Sequence, residues 1–173
     1  MNIVLIGMKG SGKTTIGKHI AKELSRPFFD LDRIIEQKHE KEKGEMISCR
    51  EIFTRYGKEY FNLLETQSLK DVKNYNIDFV LATGGGTPIP MENRVLLKQL
   101  GTVIYLKCGR EILYKRIIAK GIPTYFPYHD DPKRSFDEII IKREREYEAV
   151  TDYVIDCKLY PPKKIAEIII SKV

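Results

Sequence analysis

The residues best suited to chemistry stand near the start of the chain. Directly after the apolar run Ile3-Val-Leu-Ile6 comes Gly7-Met-Lys-Gly-Ser-Gly-Lys-Thr14, a complete G-x-x-x-x-G-K-[ST] pattern. Glycines let such a backbone curl until successive N–H groups point inward at phosphate oxygens. A helix beginning near Lys13 adds the positive end of its dipole. Gly10, Ser11, Gly12, Lys13, Thr14 and Thr15 are therefore the candidate nucleotide contacts. Lys13 is expected to reach the β- and γ-phosphates, and the Thr14 hydroxyl to ligand Mg²⁺. The alternative is a chance glycine-rich turn, against which the preceding strand and the following helix both argue.

Two more candidate groups end the next apolar runs. Phe29-Asp-Leu-Asp32 closes the second. Read as extended chain, carboxylates two residues apart project to the same side. One of the two could then hold a magnesium-bound water while the other contacts an acceptor hydroxyl and orients or deprotonates it. In the competing reading Asp32 merely caps a helix that starts at Arg33. Gly84-Gly-Gly86 closes the third run. Its bare backbone would let a ligand approach closely and would donate N–H groups to it, although a flexible strand-to-helix turn has the same composition. That third run ends Leu81-Ala-Thr83, without the acid that holds Mg²⁺ in motor and pump ATPases, and no N-K-x-D string exists to read guanine. Both omissions point to a small-molecule kinase using ATP and Mg²⁺.

The elements that must position these groups alternate along the whole length. Strands are expected at Asn2–Ile6, Pro27–Asp30, Phe79–Ala82, Thr102–Lys107 and Tyr153–Asp156. Helical patterns run over Lys13–Leu24, from Arg33 to about Tyr56, from Gly57 to about Lys73, and over Met91–Leu100 and Arg110–Lys120. Ser48 with Glu51 forms a capping box that divides the second of these. Residues 121–134 are rich in Pro, Gly, Tyr and Asp without a period, and read as a loop. Ser135 with Glu138 is expected to cap a helix reaching about Val150, and Pro161–Ser171 closes the chain as a helix with Pro in its first turn. Strands alternating with helices imply an α/β fold, a parallel sheet covered on both faces. Ligands of such sheets bind beyond the carboxyl ends of the strands, where the three candidate groups fall.

The bulk properties agree with one domain over residues 1–173, 42% hydrophobic and 31% charged. No apolar run is long enough to span a membrane, and Met1 leads straight into the first strand with no signal-peptide pattern, so a cytoplasmic location is expected. The net charge of +6 favours anionic ligands. Its basic residues interleave with acids, as in Lys38-His-Glu-Lys-Glu-Lys43 and Lys142-Arg-Glu-Arg-Glu146. Such runs read as solvated helix faces rather than a nucleic-acid surface. Cys49, Cys108 and Cys157 lie far apart, without C-x-x-C, so neither a disulfide framework nor a zinc site is expected. His19, His39 and His129 read as surface or packing residues.

Taken together, these motifs resemble the shikimate kinase family over nearly the whole chain. Beside the phosphate loop stand F-x-D-L-D-x-x-I-E at Phe28–Glu36, E-I-F at Glu51–Phe53, G-x-x-x-F-x-x-x-E at Gly57–Glu65, A-T-G-G-G at Ala82–Gly86 and K-R-x-x-x-Y at Lys142–Tyr147. The resemblance implies a P-loop NTPase three-layer sandwich, a five-stranded parallel sheet in the order 2-3-1-4-5, a mobile substrate-binding segment at about 31–65, a lid at about 120–135, and a monomer. It implies phosphorylation of a small anionic hydroxylated substrate, shikimate, at one hydroxyl. Lys13 and Asp32 would be catalytic, with Asp32 activating the acceptor hydroxyl and Asp30 working near Mg²⁺. Gly84, Gly85 and Gly86 would line the substrate pocket, Arg143 would pair with the substrate carboxylate, and Arg116 would lie near the adenine. Two positions depart from the family pattern. Asn62 stands where F-R-x-x-E carries a second carboxylate-binding arginine, and the lid has Ile122-Pro123 and Phe126-Pro127 in place of Arg-Pro. Lys120, Lys133 and Arg134 are the candidate substitutes. These departures keep two alternatives open: a related kinase with a different acceptor, or a nucleotide-binding homologue with little catalytic activity.

Overall fold

Four consecutive apolar residues, Ile3–Ile6, form the central strand β1, and all four side chains are buried. Burying each is worth about 1.5–3 kcal/mol, so this strand must lie between two covered faces. The computed structural model describes residues 1–173 and shows that arrangement. The strands β2 (Phe28–Asp30), β3 (Val80–Ala82), β4 (Thr102–Lys107) and β5 (Tyr153–Asp156) join β1 in one parallel sheet of order β2-β3-β1-β4-β5.

Alternation along β1 separates two cores. Val4 and Ile6 face one side, with Leu64, Leu69, Leu97, Phe136 and Tyr147. Ile3 and Leu5 face the other, with Ile16, Ile20, Ile165 and Ile169. The smaller core is roofed by α1 (Lys13–Glu23) and the C-terminal helix, Pro162–Ile170. The larger lies beneath α2 (Leu31–Lys43), α3 (Cys49–Lys73), α4 (Met91–Leu100), α5 (Arg110–Ile118) and α6 (Pro132–Val150), with the C-terminal helix being α7.

Local chemistry explains most boundaries. Gly12 caps α1 at φ 93°, a left-handed conformation suited to glycine. Ser48 and Glu51 form the expected reciprocal capping box at the start of α3, and Gly57 kinks that helix at φ 84°. Between α2 and α3 the buried His39 packs edge-on to Tyr56 and Tyr60, with Nδ1 3.0 Å from the Tyr60 hydroxyl. This histidine is a packing residue.

One competing reading and two expectations fail here. Asp32 does not cap α2. Asp30 does so, accepting from the Asp32 amide at 3.2 Å, and the helix starts at Leu31. The two carboxylates therefore do not share one side of an extended chain; Asp30 ends a strand and Asp32 lies in a first helical turn. Nor do Ser135 and Glu138 cap α6. Its cap is Asp131, which accepts from the Arg134 amide at 3.0 Å, with Pro132 in the first turn. Proline needs no N–H partner there, and its fixed φ suits the position. Ser135 is buried instead, donating to Tyr128 O and accepting from the Tyr128 amide, both at 2.9 Å.

Candidate active site

The phosphate loop crosses the carboxyl end of β1, and its charged residue is held back. Lys13 is buried and donates to Gly7 O at 2.7 Å and Met8 O at 2.9 Å. Burial lowers its ammonium pKa to about 8, opposed by the charges of Asp32 and Asp30. The Ser11 hydroxyl is buried with no hydrogen-bond partner. A buried cation and an orphaned hydroxyl in one glycine loop match the needs of a phosphate group, which supplies acceptors to both. Thr14 and Thr15 stand exposed on the first turn of α1.

Beside the loop the Thr14 hydroxyl donates to Asp30 Oδ2 at 3.1 Å. One hydroxyl and one carboxylate form an oxygen set of the kind Mg²⁺ uses when phosphates and water complete its shell. No cluster of three or more His, Cys, Asp or Glu residues exists that would hold a metal without such help.

The glycine turn after β3 forms the opposite wall and touches the phosphate loop. A Cβ on Gly85 would stand 3.1 Å from the Lys9 amide and 3.4 Å from Arg143 Nη1. A Cβ on Gly84 would stand 3.2 Å from Asp32 Oδ1 and 3.4 Å from Glu65 Oε1. On Gly86 it would approach Arg143 Nη2 at 3.7 Å. The turn therefore brings Asp32 from α2, Glu65 from α3 and Arg143 from α6 to one surface. Tyr147, one turn beyond Arg143, anchors it by donating to Gly85 O at 2.5 Å. Arg143 is oriented over the Tyr125 ring, 4.8 Å from its centroid.

Asp32 opens to this cleft on one side while protein crowds the others. The loss of water raises its carboxyl pKa, Asp30 adds to the rise, and Lys13 opposes it. Glu65 is buried and pushed up to about 7 by the same loss of water. It accepts from the Thr87 hydroxyl at 2.6 Å and more weakly from Asn93 Nδ2 at 3.4 Å. Neither Glu65 nor the Lys9 amide has a role that the sequence motifs specify; only the turn's proximity to both marks them.

On the far side of the phosphate loop, Arg116 donates from Nη1 to Gly10 O at 2.8 Å. It lines a cavity of about 110 Å³ with Ser11, Gly12, Ile112, Tyr160 and Pro162. The phosphate loop thus has an apolar-lined recess on one side and the Asp32–Arg143 surface on the other.

Known proteins resemble this chain in sequence and fold. A family model described as shikimate kinase matches residues 9–173. The chain belongs to the shikimate kinase family. The shikimate kinase 2 of Photorhabdus laumondii is 33% identical over 163 residues, covering 93% of this chain and 89% of that protein. The shikimate kinase of Alkaliphilus oremlandii is 39% identical over 157 residues, covering 89% and 88%. Among solved structures, the shikimate kinase from Acinetobacter baumannii in complex with shikimate aligns with a TM-score of 0.87 at 31% identity, covering 99% of this chain and 91% of that one. As a shikimate kinase family member the protein is a phosphotransferase that uses ATP and an alcohol acceptor. No helix is long and apolar enough to cross a membrane.

Within this family frame the basic residues sort themselves. Lys133 pairs with Asp137, and Arg134 pairs with Glu138 while stacking on Tyr128, so α6 engages both. Lys120 is exposed just after α5. Arg50 of α3 donates to Ile122 O at 3.3 Å, joining the α2–α3 region to residues 119–131. Asn62 is half-buried on α3, one turn before Glu65.

Proposed function

We propose that the protein transfers the γ-phosphoryl group of ATP to one hydroxyl of shikimate. One observation carries this reading: the Gly84–Gly86 turn presses against the phosphate loop while holding Asp32 and Arg143 at the same surface. A cation that recognises carboxylate and a base that recognises hydroxyl are then both within reach of a bound γ-phosphate.

The residues divide the work by charge. Arg143, with the N–H groups of Gly85 and Gly86, holds the acceptor carboxylate and so fixes which hydroxyl meets Asp32. Asp32 accepts that hydroxyl's proton. Its raised pKa brings its basicity nearer the working pH, where a general base is most effective. Lys13 exchanges its two carbonyl acceptors for β- and γ-phosphate oxygens when nucleotide arrives, and it faces the charge that spreads over the transferred group. The Gly10–Thr15 backbone cradles the phosphates, and Arg116 flanks the adenine over the apolar recess. Thr14 and Asp30 would hold Mg²⁺, which when bound neutralises phosphate charge.

In this reading residues 1–173 form one kinase domain, with 31–65 as its substrate-binding segment and about 120–135 as its lid. With Lys133 and Arg134 engaged on α6, Lys9, Arg50 and Lys120 are the cations available to replace the missing lid arginine. Asn62 removes one arm of a two-arginine clamp, a contact worth about 1.5–3 kcal/mol. That departure favours a second reading, a changed acceptor served by the same machinery. ADP release from MgATP separates them, comparing shikimate with no acceptor and with hydroxy acids, polyols and nucleoside monophosphates. Saturable turnover with shikimate supports the first reading; turnover with another acceptor alone supports the second. ATP binding without turnover across the panel would leave only a catalytically weak homologue.

A further inference from the structure

Cys108 and Cys157 are distant in sequence and adjacent in space. Lys107 of β4 and Asp156 of β5 are register partners, and the Cys157 amide donates to Lys107 O at 2.8 Å. Each cysteine follows the last residue of its strand, so the two hang from the carboxyl ends of neighbouring parallel strands. Such strands lie about 4.8 Å apart, inside the roughly 4.4–6.8 Å Cα separation that a disulfide spans. Both residues line the same recess, beside Ser11, Gly12, Arg116 and Tyr160. All three cysteines of the chain are free thiols.

The two sulfurs have different characters. The neighbouring Cys157 thiol lowers the Cys108 pKa, helped by the charges of Arg116 and Lys13 and opposed by burial. Cys108 beside it and burial push the Cys157 thiol up. Cys49 lies elsewhere, and burial pushes its thiol up. The recess therefore holds two sulfurs of unlike acidity, Cys108 the more readily ionised, which is the division of labour that dithiol oxidation requires.

We propose that Cys108 and Cys157 form a peroxide-sensitive oxidation site whose disulfide closes the nucleotide recess. The Cys108 thiolate attacks one oxygen of the peroxide, the O–O bond breaks, and hydroxide leaves a sulfenic acid on Cys108. The Cys157 sulfur then attacks the Cys108 sulfur and expels its oxygen as hydroxide. One of the two hydroxides takes the Cys157 proton and the other a solvent proton. Two electrons pass from the sulfurs to the peroxide, which ends as two waters. The Cys108 sulfur reaches Ser11 O of the phosphate loop at 3.7 Å as a thiol. A disulfide draws it towards Cys157, removes that contact and moves sulfur into the space between Arg116 and Tyr160.

This inference rests on the reading of the recess as the nucleotide site. The test treats the purified protein with hydrogen peroxide, with and without ADP, maps cross-linked peptides, and titrates ADP before oxidation, after it, and after dithiothreitol. The expected result is a Cys108–Cys157 cross-link with Cys49 free and ADP affinity at least tenfold weaker, restored by reductant. Bound ADP should slow the cross-link, and Cys157→Ser should form none and show no reversible loss. Absence of the cross-link, or a cross-linked protein that binds ADP as the reduced one does, would overturn the proposal. If the reduced protein binds no ADP, the nucleotide reading itself falls, and the switch falls with it.

Discussion

Asp32 and Glu65 approach Gly84 from different helices, and both lose water there. The consequences differ because Asp32 opens to the cleft and Glu65 does not. Replacing Asp32 by Asn keeps its size and removes its basicity. Turnover should fall about 10²-fold or more, while ADP affinity, measured calorimetrically, stays near the unmodified value. Full activity in Asp32→Asn would remove the base role. Glu65 bears on stability. Thr87 and Arg143 favour its charged form and Asp32 disfavours it, but burial dominates and its folded pKa is about 7 against an ordinary 4.5. Between those values the folded chain keeps a proton that the unfolded chain has lost. Stability should therefore fall as pH rises through this window, by roughly 3 kcal/mol from this group alone. Urea unfolding across pH 4.5–7 should show that decline, and Glu65→Gln should flatten it.

At the scale of elements, positions are set by how closely backbones approach. Gly101, between α4 and β4, has an extended φ of 163° that any residue adopts. Space is its constraint: a Cβ there would meet Asn2 O at 2.3 Å. That carbonyl accepts the Thr102 amide at 3.0 Å where β4 joins β1, so it cannot swing aside without breaking the sheet. Gly101→Ala should cost about 1–3 kcal/mol, read as a lower midpoint in chemical unfolding. A wild-type midpoint would show that the β1–β4 junction yields more easily than this packing implies. The cap of α6 carries a related lesson. Ser135 and Glu138 have the spacing of a capping box, yet Asp131 with Pro132 starts the helix one turn earlier. Ser135 is more useful buried, where its hydroxyl satisfies both backbone groups of Tyr128.

Across the whole molecule, the sheet divides the work. One edge of the phosphate loop faces β2, β3 and the Asp32–Arg143 surface, where the acceptor is proposed to bind; the other faces β4, β5 and the recess proposed for the nucleotide. Residues 119–131 connect α5 to α6, and so join an element that flanks the recess to the helix that carries Arg143. Arg50 ties the same connection to α3 through Ile122 O. Closure over both ligands would therefore draw on three elements at once. Trypsin cleavage after the exposed Lys120 should slow when a non-hydrolysable ATP analogue and shikimate are both present, and Arg50→Ala should reduce that protection. Equal cleavage with and without ligands would argue against a closing lid.

The sequence by itself determined the phosphate loop, the order of strands and helices, the Ser48–Glu51 box and the glycine turn. Each depends on neighbours within a few residues, where periodicity, capping and turn chemistry are decisive. The family motifs extended that reading to Asp32 and Arg143. Tertiary structure decided the rest. Lys9 and Glu65 become candidate site residues only because the Gly84–Gly86 turn folds against them. Lys133 and Arg134, equivalent to Lys120 on paper, are engaged by acids one helical turn away. Cys108 and Cys157 meet only because β4 and β5 pair in register. The reason is the same in every case: local propensity specifies elements, whereas which side chains share a surface depends on long-range pairing and packing.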